Sequence, residues 1–313
     1  GYCQHEHRPS DYENTLYPDI NLFPSSTSLL SFINVVAPKQ IYLRVSPHSC
    51  SEHLVLLIHS AYPKIKIIVE FYDMGMLFSD TYLKDEIGFS EDEYNGMKLG
   101  SRCAFENAHA IVVKSGGELW NSISESFKAK SLTYNPVLPE ILTPPKHDLL
   151  SSKQNYRVVY AGSMRAKEIV EGPETTPGEN FFKYFETIVE NGAATVDIFN
   201  AQHRDSSQDR MASFSPLVER YMKPKGSIKY HRALPLDRLI DELRDYDFGF
   251  ACAHYEGDRV EGVSRTTLGN RFMGYVAAGL PIITDSYFSY MAELVERFEA
   301  GIVIAPEQMD TLP

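Results

Sequence analysis

The sequence has no uninterrupted apolar run near the roughly 20 residues that a membrane-spanning helix requires. It also lacks an excess of positive charge, because its 313 residues carry a formal net charge of −12. The acidity is even along the chain, with 12 Lys and Arg against 18 Asp and Glu in residues 1–149 and 18 against 24 in the remainder. Non-specific binding to nucleic acid needs a concentrated basic face. The composition therefore argues against a membrane-spanning protein and predicts no nucleic-acid partner.

Paired cysteines are absent as well. The four cysteines lie far apart and show neither metal-ligand nor redox spacing. The polar N-terminal stretch lacks the apolar core of a signal peptide. These features predict a reduced, cytoplasmic protein with mostly buried cysteines, and a disulfide pair is the less favoured alternative.

Several short catalytic signatures are missing. The sequence contains no GxGxxG dinucleotide fingerprint, no P-loop GK[ST], no GxSxG nucleophile elbow and no HExxH zinc motif. These absences give no support to a dinucleotide-dependent enzyme, a P-loop nucleotidase, a serine hydrolase or a zinc protease. A site has to be sought in the arrangement of strands and loops.

Short apolar segments alternate with amphipathic ones from Lys39 onward. In the first half, QIYLRV and KIKIIVEFYD are typical of strands, and the helix-like SEHLVLLIHSAY lies between them with Ser51 as its cap. The segment LPEILTPPKHDLLSSKQ is rich in Pro and Ser and cannot continue a helix or a central strand. We therefore predict a first domain over residues 1–149 and a second domain over residues 150–313.

The second half contains six strand-like segments with helix-like segments between them. Strict alternation predicts one parallel, doubly wound sheet, so the predicted fold class is α/β with two Rossmann-like domains. Ligands of such sheets bind at the carboxyl ends of the strands, where the βα loops gather. Two such domains in tandem predict a small-molecule site in a cleft between them.

The segment VVYAGSMRAK has the residue types of an anion site at a strand end. Gly162 leaves room for a close ligand and Ser163 offers a hydroxyl. Arg165 and Lys167 supply positive charge just beyond the strand. A turn glycine followed by solvated charges is an equally good interpretation.

The segment TTLGNRFMGYVAAGLPII, at a later crossover, also has the residue types of an anion site. Thr266, Thr267 and Asn270 are capping-type residues at the entrance of a helix, where free N–H groups and the helix dipole favour an anion. Arg271 is unfavourable to that dipole, so a bound phosphate would explain it, and a plain exposed arginine is the alternative. Gly274 in mid-helix costs roughly 1 kcal/mol relative to alanine.

One acid of the first domain is a candidate catalytic residue. Asp73 ends the strand of VEFYD, and an acid at the carboxyl end of a parallel strand faces the expected cleft, so Asp73 is a candidate general base. Capping the next segment is an equally good structural reason for an aspartate there. Asp285, after PIIT, has the same two interpretations.

The second half resembles the donor-binding domain of GT-B glycosyltransferases, which transfer sugars from nucleotide-sugars. The resemblance lies in RVVYAGSM, IKYHRALPLDRLIDELRDYDFGFA, NRFMGYVAAGLPIITD and EAGIVIAP. The third of these segments is similar to the family signature nKlfEYlaaGlPvi. In the first half, VEFYD and FENAHAIVVKSGGELWNSI resemble the end of the acceptor domain more weakly. The resemblance covers most of residues 40–306.

The resemblance implies a metal-independent glycosyltransferase with a UDP- or GDP-linked sugar as donor and a glycan, lipid-linked or protein acceptor. The residues implied at the donor site are Gly162, Ser163, Arg165, Lys167, Leu234, Thr267, Asn270 and Arg271. Of these, Gly162 and Ser163 would lie against the diphosphate, and Leu234 would lie where the family reads the base through the backbone. Asp73 would deprotonate or orient the acceptor hydroxyl.

The sequence departs from the family pattern in three features of the donor domain. The paired glutamates with seven residues between them, seen in many retaining members, are missing, because Gly269 stands eight residues after Glu261. Gly274 replaces the signature glutamate that commonly holds the ribose hydroxyls, and Arg232 replaces a usual glycine. The glycine-rich first strand and the long terminal helices of the family have no counterpart, so we expect an incomplete first domain and a longer protein. A catalytically degenerate binding or scaffold domain and a nucleotide-sugar epimerase of similar architecture are the alternative functions.

Overall fold

The computed structural model describes residues 26–46, 51–71, 73–81, 83–84, 88–125, 130–133, 155–162, 181–190, 194–201, 227–252, 261–305 and 308. They form two compact units. The first unit takes in the described residues up to Val113 and the segment Ile123–Thr133. The second takes in Lys114–Ser122 and the described residues after Tyr134. The predicted domain boundary at residues 149 and 150 lies outside the described residues and stays a prediction.

The described part of the first unit contains four parallel strands in the order β1-β2-β3-β4. The strands are β1 (Gln40–Val45), β2 (Lys66–Phe71), β3 (Ala110–Val113) and β4 (Lys130–Thr133). Its helices are α1 (Ser26–Val36), α2 (His53–Ala61) and α3 (Glu91–Asn107), and a 3-10 turn covers Gly75–Leu77. The β-branched and aromatic runs predicted as strands form β1 and β2, which pair along their whole length.

The first turns of α3 and α2 are stabilised differently. Helix α3 begins with a capping box, in which Ser90 Oγ accepts a hydrogen bond from the Glu93 N–H and the Glu93 side chain accepts one from the Ser90 N–H. The predicted cap of α2, Ser51, is wrong, because the N-cap is Glu52 and no side chain caps that turn. Ser51 Oγ instead accepts a hydrogen bond from the Ser46 N–H at 2.9 Å, which closes the preceding turn.

The described part of the second unit contains a six-stranded sheet, and the six strands predicted from the sequence alternation are all present in it. The strands are β5 (Tyr156–Gly162), β6 (Ala194–Asn200), β7 (Ile228–Arg232), β8 (Phe248–Phe250), β9 (Ile282–Asp285) and β10 (Gly301–Ile304). The helices are α4 (Gly117–Glu125), which begins in this unit, α5 (Phe181–Glu190), α6 (Leu236–Leu243), α7 (Glu261–Thr266), α8 (Asn270–Ala278) and α9 (Ser289–Arg297). All pairings between these strands are parallel, as the alternation predicts.

The strand order of the second sheet fixes where the chain reverses its direction of winding. The order is β10-β9-β8-β5-β6-β7, so β6 and β7 add on one side of β5 and β8 to β10 add on the other. The switch point therefore lies between β5 and β8. In doubly wound sheets, the ligand crevice opens at such a point, outside the carboxyl ends of the strands.

The core of the second unit is aromatic where α5 covers the sheet. Phe185 packs edge-on against Tyr160 and Phe250, with ring centroids 5.6 and 5.3 Å apart. Helix α8 ends at Gly279, whose φ of 70° is the left-handed conformation that glycine adopts without strain. This glycine turns the chain from α8 into the buried strand β9.

Two of the four cysteines lie in the described part of the chain. Cys103 and Cys252 are both buried and form no disulfide. Among the described helices, none is both long and apolar enough to cross a membrane.

Candidate functional site

Strands β5 and β8 separate before their carboxyl ends. Their pairing ends with Val159 opposite Gly249, whereas β5 stays paired with β6 as far as Gly162 opposite Asn200. The strand order places the expected ligand crevice at this switch point, between the carboxyl ends of β5 and β8. Gly162 lies at one rim of this crevice, and Cys252, which follows β8, lies at the other.

The hydroxyl of Tyr275, on α8, lies in the gap between the two strands. It accepts a hydrogen bond from the Ala161 N–H at 2.9 Å. The same oxygen lies 3.0 Å from the Phe250 carbonyl oxygen and 3.2 Å from that of Val159, so its proton can be donated to either. Gly249 makes room for the ring, since a Cβ at that position would lie 2.3 Å from Cγ of Tyr275.

Gly162 and Arg271 lie together at the rim of the crevice. The guanidinium carbon of Arg271 lies 4.4 Å from the centroid of the Tyr160 ring, within cation–π range. Its Nη1 donates to the carbonyl oxygen of Cys252 at 3.4 Å, the long end of the hydrogen-bond range. A Cβ at position 162 would lie 3.0 Å from Nε of Arg271, so the glycine allows the guanidinium to approach the strand end. Two predicted site residues that are far apart in sequence are thus adjacent in the fold.

The N-terminus of α8 has room beside it among the described residues. Its N-cap is Gly269, and no side chain caps the first turn. A Cβ added at Gly269 would have no neighbour within 4 Å. Asn270 is therefore the exposed first residue of the helix rather than the cap that the sequence pattern predicts. The first-turn N–H groups and Arg271 together create positive potential at one place.

Thr267 lies beside the loop that precedes α4. Ser115 and Thr267 form an isolated antiparallel bridge, and their Oγ atoms are 3.3 Å apart. The Gly116 N–H also donates to the Thr266 carbonyl oxygen at 2.8 Å. The Thr267 hydroxyl is thus engaged with Ser115, and the loop is anchored just ahead of α8.

Leu234, another predicted donor-site residue, does not join this group. Leu234 follows β7, two strands from β5 on the side away from the crevice, and it is half-buried against the core. Ser163, Arg165 and Lys167 lie outside the described residues, so their part in an anion cradle stays a prediction.

Gly274 lies in the second turn of α8, where neither packing nor backbone geometry requires a glycine. A Cβ there would have one neighbour within 4 Å, Cδ1 of Leu243 at 4.0 Å. Its φ is not in the left-handed region. The position is half-buried, so a side chain could extend from it without displacing the backbone.

The two acids predicted at strand ends lie in different environments. Asp285 is buried, and its Oδ1 accepts hydrogen bonds from the N–H groups of Tyr287 at 2.9 Å and Phe288 at 3.4 Å. It therefore stabilises the turn between β9 and α9, which is the structural interpretation. Asp73 follows β2 in the first unit and is half-buried. Its role as general base stays a prediction.

The sequence pattern did not indicate the buried carboxyl group of Glu52. The residue is fully buried, and within the described part of the chain neither side-chain carboxylate oxygen has a hydrogen-bond partner. Burial is the main cause that raises the pKa of Glu52 from 4.5 to about 7. A Cβ on Gly75 would lie 3.4 Å from Oε1, and one on Gly100 would lie 2.5 Å from the Glu52 backbone. Two glycines that are distant in sequence thus lie against Glu52, one at its carboxylate and one at its backbone. The residues next to Glu52 in the sequence give no indication of this.

The sequence matches no protein-family model, and no curated protein sequence is significantly similar to it. Solved structures, however, match nearly the whole chain. Sucrose-phosphate synthase (tll1590) from Thermosynechococcus elongatus matches with a TM-score of 0.58 and 11% identity, over 91% of this chain and 65% of that one. HepE (Alr3699) from Anabaena, solved with UDP-glucose, matches with a TM-score of 0.58 and 12% identity, over 97% and 78%.

A third solved structure, a trehalose-6-phosphate synthase, matches with a TM-score of 0.54 and 10% identity, over 91% of this chain and 67% of that one. The chain thus spans about two thirds of the sucrose-phosphate and trehalose-6-phosphate synthase chains. All three proteins are GT-B glycosyltransferases, and identities this low establish a common fold only. With its two units of parallel α/β sheet, the chain has the GT-B fold that its sequence predicts.

Proposed function

We propose that the protein is a glycosyltransferase that transfers a sugar from a UDP- or GDP-linked donor to an acceptor hydroxyl without a metal ion. The position of Arg271 carries this proposal. Its guanidinium is held over Tyr160 at the rim of the switch-point crevice, next to Gly162 and in the first turn of α8. The fold is the one that carries nucleotide-sugar transfer in the matched glycosyltransferases.

The donor diphosphate would bind at this rim. A diphosphate needs positive charge, N–H donors and a backbone without obstructing side chains, and Arg271, the uncapped turn after Gly269 and Gly162 provide these. Cleavage of the sugar–phosphate bond leaves charge on the departing diphosphate, and fixed positive groups at that place lower the barrier. Arg271 would therefore supply the charge stabilisation that a metal ion gives in other transferases.

The remaining assignments extend the same proposal. Leu234 would contact the base, and Ser163, Arg165 and Lys167 would complete the anion cradle beyond β5. Asp73 in the first unit would orient or deprotonate the acceptor hydroxyl.

Calorimetric titration with UDP, GDP and ADP tests the donor site. We expect one nucleoside diphosphate to bind, and Arg271→Ala to weaken it more than tenfold because a charge-assisted contact to the diphosphate is lost. Arg265→Ala is the matched control: Arg265 is an exposed arginine of α7 whose Nε donates to Ser289 Oγ at 3.2 Å. Arg265→Ala should bind the nucleoside diphosphate with the affinity of wild type. Absence of binding by every nucleotide would refute the proposal.

A catalytically degenerate binding domain is the second candidate, and Gly274 favours it. The structure gives no packing reason for this glycine, which stands where the family signature has a ribose-binding glutamate. Incubation with a panel of nucleotide-sugars separates the two functions. A degenerate domain shows neither transfer nor slow hydrolysis even when the nucleotide binds, whereas detectable hydrolysis excludes it.

A further inference from the structure

The Tyr275 hydroxyl stands between the backbone groups of β5 and β8 where the pairing of these strands ends. The last pair is Val159 opposite Gly249, and beyond it the Ala161 N–H of β5 and the Phe250 carbonyl of β8 both meet the Tyr275 hydroxyl. In a continued parallel ladder, such groups would pair directly between the strands. A side-chain hydroxyl therefore replaces the ladder at the point where the ligand crevice begins.

The Tyr275 side chain is fixed in this place. It is fully buried, and the missing side chain of Gly249 forms the slot for its ring. Burial is the largest cause that holds the pKa of Tyr275 well above its ordinary value of 10.0, so the phenol keeps its proton at physiological pH. The hydroxyl can then act as acceptor and donor at once, as its three neighbours require.

The hydroxyl also lies on the element that carries Arg271. Both residues belong to α8, four positions apart, so they lie on one side of the helix. Ala161, whose N–H the hydroxyl binds, directly precedes Gly162, and Phe250 is two positions before Cys252, whose carbonyl oxygen accepts from Arg271. The contacts of a single hydroxyl thus join both rims of the crevice to α8.

We propose that Tyr275 is a positioning residue of the nucleotide site, whose hydroxyl sets the separation of the ends of β5 and β8 and thereby the placement of Gly162 against Arg271. This inference rests on the proposed binding of a nucleoside diphosphate at the crevice. Tyr275 itself makes no contact with the ligand.

The substitution Tyr275→Phe keeps the ring in its slot and removes the hydroxyl. The Ala161 N–H then loses its acceptor, and the Phe250 and Val159 carbonyls lose the one hydroxyl that can donate to either of them. Buried polar groups do not stay unpaired at low cost, so the strand ends must move together or admit water. Either change alters the distance between Gly162 and Arg271.

Titration of the nucleoside diphosphate that wild type binds, well below the unfolding temperature, tests the inference. Tyr275→Phe should weaken binding at least fivefold. Arg271→Ala should weaken binding by a smaller factor in the Tyr275→Phe background than in wild type. The reason is that both substitutions impair the same contact, between Arg271 and the diphosphate. Additive losses would contradict the proposal.

The control is Tyr246→Phe. Tyr246 is also buried in the second unit, but it lies two residues before the amino end of β8. It packs under Arg157, whose guanidinium carbon lies 4.4 Å from the Tyr246 ring centroid. This variant should lower thermal stability and leave the affinity unchanged. If Tyr275→Phe behaves in the same way, its role is structural and the inference is wrong.

Two further outcomes are distinguishable. If wild type binds no nucleotide, the proposed function fails and the inference fails with it. If Tyr275→Phe does not fold, hydrogen exchange on wild type gives the answer: saturating nucleotide should slow exchange of the amides of residues 159–162 severalfold. Unchanged exchange in this segment would overturn the inference while leaving nucleotide binding intact.

Discussion

Replacing Glu52 with glutamine should remove a pH dependence from the stability of the protein. The carboxyl group is fully buried beneath Gly75, and no described residue forms a hydrogen bond with either of its oxygens. The neutral form is therefore the one that the fold accommodates, since an unpaired buried charge is costly. Glutamine has nearly the same shape and stays neutral at every pH.

The size of the effect follows from the two pKa values of Glu52. The pKa is 4.5 without the fold and about 7 within it. Below pH 4.5 the carboxyl is protonated in both states, and its stability contribution is fully present. Between pH 4.5 and about 7 mainly the unfolded state releases the proton, so the free energy of unfolding falls as pH rises. Each pH unit is worth about 1.4 kcal/mol, so the total loss is about 3 kcal/mol and is complete above pH 7.

Urea denaturation followed by circular dichroism at pH 5 and pH 8 measures this loss. Between these pH values, wild type should lose about 2 to 3 kcal/mol more than Glu52→Gln. Other titrating groups change both proteins equally and cancel in the difference. The control is Glu106→Gln, which neutralises an exposed glutamate of α3 that pairs with Arg102, and it should keep the wild-type pH dependence.

Equal pH dependence in wild type and Glu52→Gln would refute this reasoning. It would mean that solvent or a moved neighbour stabilises the ionised carboxylate in solution. If the free energy of unfolding of Glu106→Gln depended less on pH than that of wild type, the effect would not be specific to Glu52.

Three further predictions concern the second unit. Gly274→Ala should stabilise the protein by about 0.5 to 1 kcal/mol, because alanine favours a helix interior and, of the described residues, only Leu243 lies within 4 Å of the added Cβ. A lower melting temperature would contradict this. Gly249→Ala, whose Cβ would clash with Tyr275, should be destabilised by about 1 to 3 kcal/mol in the same assay. Asp285→Ala should lower the free energy of unfolding by about 1 to 2 kcal/mol, since the Tyr287 and Phe288 N–H groups lose their acceptor. Urea denaturation measures this loss. A loss below about 0.5 kcal/mol would mean that other acceptors replace the carboxylate.

The fold was predictable because each strand of the second unit has a recognisable local sequence pattern. The six apolar segments of the second half are short, separated by helix-like segments and rich in β-branched or aromatic residues, and all six form strands of one parallel sheet. Gly279 likewise ends α8 where a glycine after a helical run predicts an end. These features depend on neighbours a few positions away.

The arrangement of the site depends on contacts that no local pattern contains. The periodicity of α8 predicts that Tyr275 faces the sheet, and it does, but the role of its hydroxyl depends on where β5 and β8 stop pairing. Gly162 and Arg271 were both candidates, yet their adjacency follows from the strand order. The burial of Glu52 requires two glycines from other elements to approach it.

The loop ahead of α4 has a consequence for any attempt to divide the protein. The segment Lys114–Ser122 belongs to the second unit, although the chain on both sides of it belongs to the first. Neither unit is therefore a continuous stretch of sequence. A fragment that ends at Thr133 would carry Trp120, the one tryptophan of the chain and a buried side chain, away from the unit it belongs to. The complementary fragment would lose the Ser115 bridge at the entrance of α8, so the second unit cannot be isolated by a single cut.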